Sequence, residues 1–344
     1  MEPILTDLKL GHFRCFEQFQ TQFSPGLNLI VGPNAMGKTS LLEAACVLLR
    51  LQSPRTTRLA DLIQRGARGL LVDGHARGKH LQFYYSPSRK KLALDSVEQK
   101  TASEYLQTSR VIWFSNTDIE LIRGPSEGRR RFLDFVAAQS VPAYRQALLG
   151  YSRALRARNL LLKQAIPRWK EIQAFDAPLI THGFVLTQAR DALCSALRPL
   201  LQLAHTAIGG HSEKIDATYL DASGSDFASS LLNSRTEDAR LRQTQVGPHR
   251  DEWELNLQGH PASFGSEGQQ RTYALALRLA AARYLEARTG QAPLLLLDDI
   301  FGELDAQRRA ALMAELPKTS QQIVTTTQLE WLPSDLSANV LRLG

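Results

Sequence analysis

The chain has 344 residues, 43% of them hydrophobic, and a formal net charge of +7, which is compatible with a polyanionic partner. Its length suggests two domains or one elaborated domain, and it has neither an apolar run of the roughly 18 residues that span a bilayer nor the basic start of a signal peptide. The three scattered cysteines, Cys15, Cys46 and Cys194, exclude a disulfide framework and a thiolate metal site, so we expect a cytoplasmic protein without membrane partners.

The first third of the chain is predicted to be a mixed α/β region that contains antiparallel strand pairs. Residues 5–10 and 18–23 alternate, or nearly so, between apolar and polar side chains, as strands with one buried face do. Further short strands are predicted at residues 70–72, 81–85 and 111–114, which are apolar and lie between turns rich in glycine, charge or Ser-Pro-Ser.

A phosphate-binding loop pattern, G-x-x-x-x-G-K-[ST], occupies residues 32–39. Residues 27–31 precede it as an apolar strand, and residues 40–49 follow it as a helix without a breaker. Backbone N–H groups of such a loop surround phosphates, and the start of the helix adds the positive end of its dipole. The predicted nucleotide site comprises Gly32, Pro33, Asn34, Ala35, Met36, Gly37, Lys38, Thr39 and Ser40.

Two side chains of this loop have separate predicted roles. Lys38 reaches the β- and γ-phosphates of ATP, and Thr39 binds Mg²⁺ through its hydroxyl. The alternative is a chance match in a turn that contains glycine. The flanking strand and helix favour the nucleotide site.

Residues 118–232 are predicted to form an all-helical insertion. Apolar side chains recur at spacings of three and four in residues 129–137, 144–164 and 179–207, and proline or glycine breakers separate these segments. No heptad register persists over three or four repeats, so a long coiled coil is not expected.

The last third returns to an α/β pattern. Residues 253–257 alternate as a half-buried strand, residues 268–286 form a helix, and the four leucines at 294–297 are typical of a fully buried parallel strand. Asp298, directly after this strand, is predicted to hold Mg²⁺. Asp299 is predicted to polarise the attacking water, and its side chain is one methylene shorter than the glutamate that many P-loop ATPases use for this. The alternative is a solvated turn with two surface acids.

The spacing of these motifs indicates an ABC-type ATPase. Lys38 and Asp298 are 260 residues apart (298 − 38 = 260), whereas small GTPases and nucleotide kinases keep the two elements much closer. An S-x-G-Q sequence with Ser266, Gly268 and Gln269 fits the signature motif of this class, which contacts the ATP bound by a second subunit. The same residues also fit a capping box, with Ser266 as the N-cap, and both roles can hold together.

The end of the chain completes the pattern. Leu304 and Asp305 match the D-loop that lines the dimer interface of this class. No histidine follows His260, so the γ-phosphate histidine of transporter ATPases is missing, and the polar residues 325–328 stand near its position. We therefore expect the fold class to be α/β, an ABC-type P-loop ATPase head of mixed parallel and antiparallel sheets with an inserted all-helical arm. The predicted domains are head residues 1–117, arm residues 118–232 and head residues 233–344.

The chain resembles the RecF family over nearly its whole length. The most specific motifs are RRRFLD at residues 129–134, RN-LL at 158–161 and GPHRD at 247–251. The sequence departs from the family pattern at Ala35, where glycine is frequent; alanine is tolerated there if its φ is negative. It also lacks, on the strand at residues 111–114, the glutamine with which other ABC ATPases bind Mg²⁺.

The resemblance implies a slow, DNA-dependent ATPase that dimerises on ATP and Mg²⁺. It implies binding to DNA gaps and to junctions between single and double strands, with RecO and RecR as partners and RecA loading as the result, in replication, recombinational repair and the SOS response. By the same resemblance Arg14 lies near the nucleotide. Arg129, Arg130 and Arg131 form a basic cluster and are candidate DNA contacts. The alternative is that these arginines lie on a helix face and are solvated or paired with aspartate and glutamate.

Three other readings remain. A transporter's ATPase subunit would need the missing histidine. A shortened SMC-like structural dimer would bind ATP without turnover. An RNA-modifying P-loop enzyme would need a second catalytic site, and the sequence shows none.

Overall fold

The computed structural model describes residues 2–210, 213–224, 226–332 and 337–344. The strands in these residues are β1 (Leu5–Phe13), β2 (Phe16–Gln22), β3 (Leu27–Val31), β4 (Leu70–Ala76), β5 (Lys79–Ser86), β6 (Arg89–Leu94), β7 (Val97–Glu98), β8 (Val111–Ser115), β9 (Ile215–Leu220), β10 (Glu252–Leu257), β11 (His260–Pro261), β12 (Leu294–Asp298), β13 (Gln322–Thr326) and β14 (Asn339–Arg342). The α-helices are α1 (Lys38–Arg50), α2 (Ser103–Gln107), α3 (Glu120–Arg123), α4 (Ser126–Ser140), α5 (Tyr144–Leu162), α6 (Trp169–Gln173), α7 (Asp176–Gly209), α8 (Phe227–Asn233), α9 (Arg235–Leu241), α10 (Glu267–Thr289) and α11 (Ala306–Glu315).

The chain folds as two compact units. The first unit comprises residues 1–118, 207–210 and 275–344, and the second comprises residues 119–206 and 211–274.

An antiparallel sheet of the first unit has the strand order β2-β1-β4-β5-β6-β7. The inward side chains of β1, among them Leu5, Leu8 and Phe13, are fully buried. Alternation places Leu8 and Leu10, two residues apart and both buried, on one face of β1, which explains why the pattern identified the strand. The predicted antiparallel pairs of the first third are confirmed.

A parallel sheet of the same unit has the order β14-β3-β13-β12-β8. β12 lies between β13 and β8, and its four leucines are completely buried. A strand covered on both faces needs a continuous apolar sequence, so the predicted central parallel strand is confirmed. The carboxyl ends of β3, β13, β12 and β8 meet at one edge, which is where ligands bind in open parallel sheets.

The second unit combines α3 to α9 with the antiparallel sheet β11-β10-β9. The prediction of an all-helical insertion at residues 118–232 is wrong at one element, because Ile215–Leu220 form β9, which pairs with β10. Residues 233–274, predicted as part of the head, cluster with this second unit. Helical periodicity could not reveal that pairing, since the two strands are separated by α8 and α9.

The described helices include none that is long and apolar enough to cross a membrane.

Candidate nucleotide-binding site

The phosphate loop connects the fully buried β3 to α1. Gly37, the residue before the helix, has a φ of 90°, and a Cβ there would lie 2.7 Å from both Cys15 Sγ and Phe16 Cζ. A Cβ on Gly32 would collide with the backbone oxygen of Leu343, beside β14. Both glycines are therefore required by close approach of neighbouring chain segments.

Ala35 does not meet the condition under which an alanine is tolerated at this position without strain. Its φ is +67°, in the left-handed region, and not negative. A Cβ in this region approaches the following carbonyl oxygen, which costs roughly 1–2 kcal/mol. A glycine at this position would avoid that cost.

The substitution Ala35→Gly is expected to raise the free energy of unfolding of the first unit by about 1 kcal/mol, because glycine adopts a positive φ without strain. Urea unfolding would measure the change. Ala287→Gly, at an exposed position within α10 in the same unit, is the matched control and should lower the same quantity by about 1 kcal/mol. If Ala35→Gly and Ala287→Gly lowered the free energy of unfolding by the same amount, Ala35 would not be strained.

Lys38 lies inside the loop. Its side chain is buried, and Nζ donates hydrogen bonds to the carbonyl oxygens of Gly32 at 2.6 Å and Pro33 at 2.8 Å. Both acceptors are neutral, and the ammonium forms no ion pair with a carboxylate of the described residues. An anionic group bound there would gain a charge-assisted hydrogen bond.

Asp298 ends β12 beside the first turn of α1. Its Oδ1 accepts hydrogen bonds from the hydroxyls of Thr39 at 2.8 Å and Thr325 at 2.9 Å. Burial raises the pKa of this carboxyl, while the two hydroxyls and Arg55 act in the opposite direction. No cation of the described residues lies within ion-pair distance of it.

The donor set at Asp298 fits a magnesium ion. One carboxylate and one threonine hydroxyl are oxygen ligands, and Mg²⁺ in nucleotide sites takes one or two such protein ligands, with water and phosphate completing its octahedron. A divalent cation would also compensate the buried charge. Thr39 and Asp298 are the residues that would hold it.

Asp299 follows the last residue of β12 and has a left-handed backbone conformation. It has a φ of +52°, its N–H donates to the hydroxyl of Thr325 at 2.9 Å, and its carbonyl accepts from Asn116 Nδ2 at 2.9 Å. Burial raises the pKa of its carboxyl, the nearby charge of Lys38 lowers it, and Glu303 raises it. The carboxyl of Asp299 therefore lies close enough to Lys38 for their charges to interact.

Arg14, predicted to lie near the nucleotide, is bound to α1. Its guanidinium donates to both carboxylate oxygens of Glu43 at 2.8 Å and to the carbonyl of Asp61 at 2.8 Å. Glu43 is completely buried and also accepts from Ser53 and Arg55. The described contacts of Arg14 therefore fix α1 and the segment after it, and its role at the nucleotide stays a prediction.

The signature residues form the predicted capping box in the second unit. The N–H of Ser266 donates to Gln269 Oε1 at 2.8 Å, and the N–H of Gln269 donates to Ser266 Oγ at 3.3 Å. Gln269 Nε2 also donates to Glu213 at 2.8 Å. Gly268 lies in the first turn of α10, and Phe264 before it is 81% exposed. The capping interpretation is confirmed, and the contact with a second subunit's ATP stays a prediction.

The two D-loop residues differ in exposure. Leu304 is buried, whereas the side chain of Asp305 is about half exposed and caps α11 by accepting the N–H of Arg308 at 2.8 Å. That hydrogen bond lowers the pKa of Asp305. Its place at a dimer interface stays a prediction.

The three arginines proposed for DNA are mostly engaged within the second unit. Arg129 pairs with Glu252 at 2.9 Å, and Arg130 donates to the carbonyl oxygen of Asp251 at 2.7 Å. Arg131 is 61% exposed and pairs with Glu127 one helical turn away. The geometry therefore does not favour these guanidiniums as phosphate ligands, and their role in DNA binding stays an untested prediction.

His249, in the GPHRD motif, has a structural role. Its Nδ1 lies 2.7 Å from the hydroxyl of Tyr151, and its Nε2 lies 3.0 Å from the carbonyl oxygen of Thr244. Burial lowers its pKa to about 4, so the ring is neutral at physiological pH. Nε2–H must then donate to Thr244, and Tyr151 must donate to Nδ1.

Sequence reasoning did not assign three residues that the structure places at the site. Thr325 links both acids, Asn116 holds the backbone of Asp299, and Glu43 anchors α1. Thr325 stood in a polar segment of uncertain role. The positions of Asn116 and Glu43 follow from pairings that no local pattern marks.

Known proteins are similar to this chain in sequence and in fold. The family model of the RecF/RecN/SMC N terminal domain matches residues 4–337. The DNA replication and repair protein RecF of Symbiobacterium thermophilum is 34% identical over 344 residues, which cover 95% of this chain and 92% of the relative. The protein of the same name from Thermosynechococcus vestitus is 36% identical and covers 94% of this chain and 91% of its own.

Solved structures of two proteins resemble this chain in fold. The recombination mediator protein RecF with ATP, in the RecFOR pathway, superposes with a TM-score of 0.85 at 28% identity, over 97% of this chain and 93% of that one. An Smc head bound to the C-winged helix domain of ScpA superposes with a TM-score of 0.52 at 19% identity, which is a likeness of fold alone.

Proposed function

The chain belongs to the RecF family of DNA replication and repair proteins, and we propose that it is an ATP-gated DNA-binding protein that acts at gaps and strand junctions. Its proposed place is the cytoplasm, with RecO and RecR as partners and RecA loading as the outcome. The 2.8 Å hydrogen bond between Thr39 and Asp298 carries this proposal, because it joins the phosphate loop and the acidic strand across 259 residues of sequence.

ATP would bind in the loop with Lys38 on its outer phosphates and Thr39 and Asp298 at its magnesium ion, which neutralises phosphate charge. Ser266 and Gly268 of a second copy would then contact the same nucleotide, so that ATP holds two subunits together. Asp299 would orient water for hydrolysis. Its side chain is about an ångström shorter than that of glutamate, and misplacement on this scale can lower a rate by roughly a hundredfold. We therefore propose slow turnover, with ATP acting mainly as a switch.

Sedimentation velocity with ATP, ADP or no nucleotide, each with and without gapped DNA, tests this proposal. The protein is expected to dimerise only with ATP and to bind DNA best in that state. Lys38→Ala should stay monomeric with ATP, because the loop then lacks its cation. Lys318→Ala, which removes an exposed lysine of the same unit, is the matched control and should behave like the parent protein. An ATP-dependent dimer of the Lys38→Ala variant would contradict the gating model.

A further inference from the structure

The exposed face of α5, in the second unit, is basic. The 19 residues of α5 contain no aspartate or glutamate. Its buried side carries Tyr144, Tyr151 and Leu162. On the opposite side, within an arc of about 80° at 100° per residue, lie the residues that we call the α5 face. These are Arg145, Leu149, Arg153, Arg156, Leu160 and, directly after the helix, Lys163.

The cations of this face lack the partners that other surface arginines have. In the same unit Arg123 pairs with Glu120, Arg131 with Glu127, Arg168 with Glu171 and Arg240 with Glu237, all within one helical turn. Arg153, Arg156 and Lys163 are exposed and form no ion pair with any described residue. The charge of this face is therefore available to a ligand.

Arg145 is a further unpaired cation of this face. It is only partly exposed, and it forms neither an ion pair nor a side-chain hydrogen bond with the described residues. Burial lowers its pKa, and no carboxylate opposes that effect. A cation that is partly desolvated without a partner costs free energy, which an external anion would recover.

The face leads to an open cleft at the end of the helix. The cleft has a volume of about 590 Å³ and is lined by Asn159, Lys163, Leu241, Arg242 and Gln243. None of these described lining residues is acidic. Arg242 is exposed and forms no described ion pair, so the cleft extends the row of cations across to the end of α9.

We propose that the α5 face and this cleft bind the phosphate backbone of DNA. The proposal rests on the DNA-binding function proposed above and gives that function a surface. From Arg145 to Lys163 the face is about 27 Å long, at 1.5 Å per residue, which matches about eight steps of a strand at 3.4 Å each. Leu149 and Leu160, which are 46% and 69% exposed, lie between the cations and can contact sugars. A membrane surface fits less well, because α5 buries its larger apolar side in the protein.

The triple variant Arg153→Gln, Arg156→Gln and Lys163→Gln tests the surface. Its matched control is Lys79→Gln, Lys100→Gln and Arg288→Gln, three exposed cations of the first unit. Each variant has a net charge of +4, from +7 less three. Fluorescence anisotropy with gapped DNA, over a series of salt concentrations in the presence of ATP, is the measurement, and thermal unfolding checks that both variants fold.

The α5 variant is expected to bind DNA at least about tenfold more weakly than the parent. Its log–log salt slope should fall by up to about 2.7, which is 0.9 for each phosphate that the variant no longer neutralises. The control should keep most of the affinity. Equal losses in both variants would assign the effect to net charge and overturn the proposal, as would an α5 variant with parental affinity.

Two further outcomes would overturn it in favour of another occupant. One is loss of ATP-dependent dimerisation with DNA affinity intact, which would make the face a contact with a second copy. The other is equally tight binding of vesicles containing anionic lipid, abolished in the same variant. If the parent protein itself fails to bind DNA in every nucleotide state, the proposed function fails instead.

Discussion

The substitution Asp251→Ala is expected to lower the free energy of unfolding of the second unit by about 3–5 kcal/mol, since it breaks a buried ion pair from one side. Asp251 is completely buried. Its carboxylate accepts from Arg190 Nη1 at 2.8 Å, from the hydroxyl of Tyr219 and from the N–H of Ala222 at 3.0 Å. The substitution leaves all three donors without this acceptor in a place that water does not reach.

Arg190 connects several elements, which is why the effect should be large. Besides Asp251 it donates to Asp134 on α4 at 2.7 Å and to the carbonyl of Pro248 at 2.6 Å. Burial by itself would lower the pKa of Arg190, but Asp134, Tyr144 and Asp251 together raise it well above the ordinary value. The guanidinium of Arg190 thus stays charged after Asp251 is removed. It then has only one carboxylate partner, Asp134, to offset its burial.

Asp216→Ala is the matched control in the same unit. Asp216 pairs with Arg198 at the surface, and both side chains are substantially exposed. Exposed pairs contribute about 0–1 kcal/mol, so this variant should unfold at nearly the parental urea concentration. Urea unfolding followed by circular dichroism gives both values. Equal small losses for the two aspartates would mean that water reaches Asp251.

The parts of the site that the sequence predicts are those with a local physical cause. The apolar strands β3 and β12 are recognisable because strands buried on both faces need continuous apolar residues. Gly32 and Gly37 mark a loop that is packed closely, against the backbone of Leu343 at Gly32 and against the side chains of Cys15 and Phe16 at Gly37. Asp298 follows directly from its position after such a strand, and the capping box follows from the spacing of Ser266 and Gln269.

The parts that the sequence does not predict depend on partners far along the chain. Arg129 reads as a surface cation in α4, yet its partner Glu252 is 123 residues away. The helical pattern shows which face of α4 is buried, but not which charges meet it there. The positive φ of Ala35 is likewise invisible, because a loop's backbone conformation follows from how its flanking elements are held. β9 was missed because its partner strand lies beyond two helices.

The substitution Asp299→Asn is expected to lower ATP turnover by about 10²–10⁴-fold, the usual contribution of a positioned general base. Asparagine keeps the size of the side chain and, like aspartate, tolerates the positive φ of 52° found here. The backbone contacts with Thr325 and Asn116 should survive, since neither uses the carboxylate. The variant therefore removes a proton acceptor without disturbing the strand end. Multiple-turnover phosphate release, with and without gapped DNA, is the measurement.

Asp298→Asn is the contrast that separates hydrolysis from binding. The carboxylate of Asp298 accepts a hydrogen bond from the hydroxyl of Thr39. Loss of this carboxylate should weaken magnesium-dependent ATP binding and therefore the ATP-dependent dimer. The Asp299→Asn variant should lose ATP turnover but keep the ATP-dependent dimer. The carboxylate of Asp299 does not contact the hydroxyl of Thr39, and Asp299 is not a residue of the signature motif. Unchanged turnover in Asp299→Asn would assign the base to another group. A parent protein that dimerises on ATP but never releases phosphate would instead be a structural dimer, for which the left-handed turn at Asp299 holds the end of β12 and has no part in catalysis.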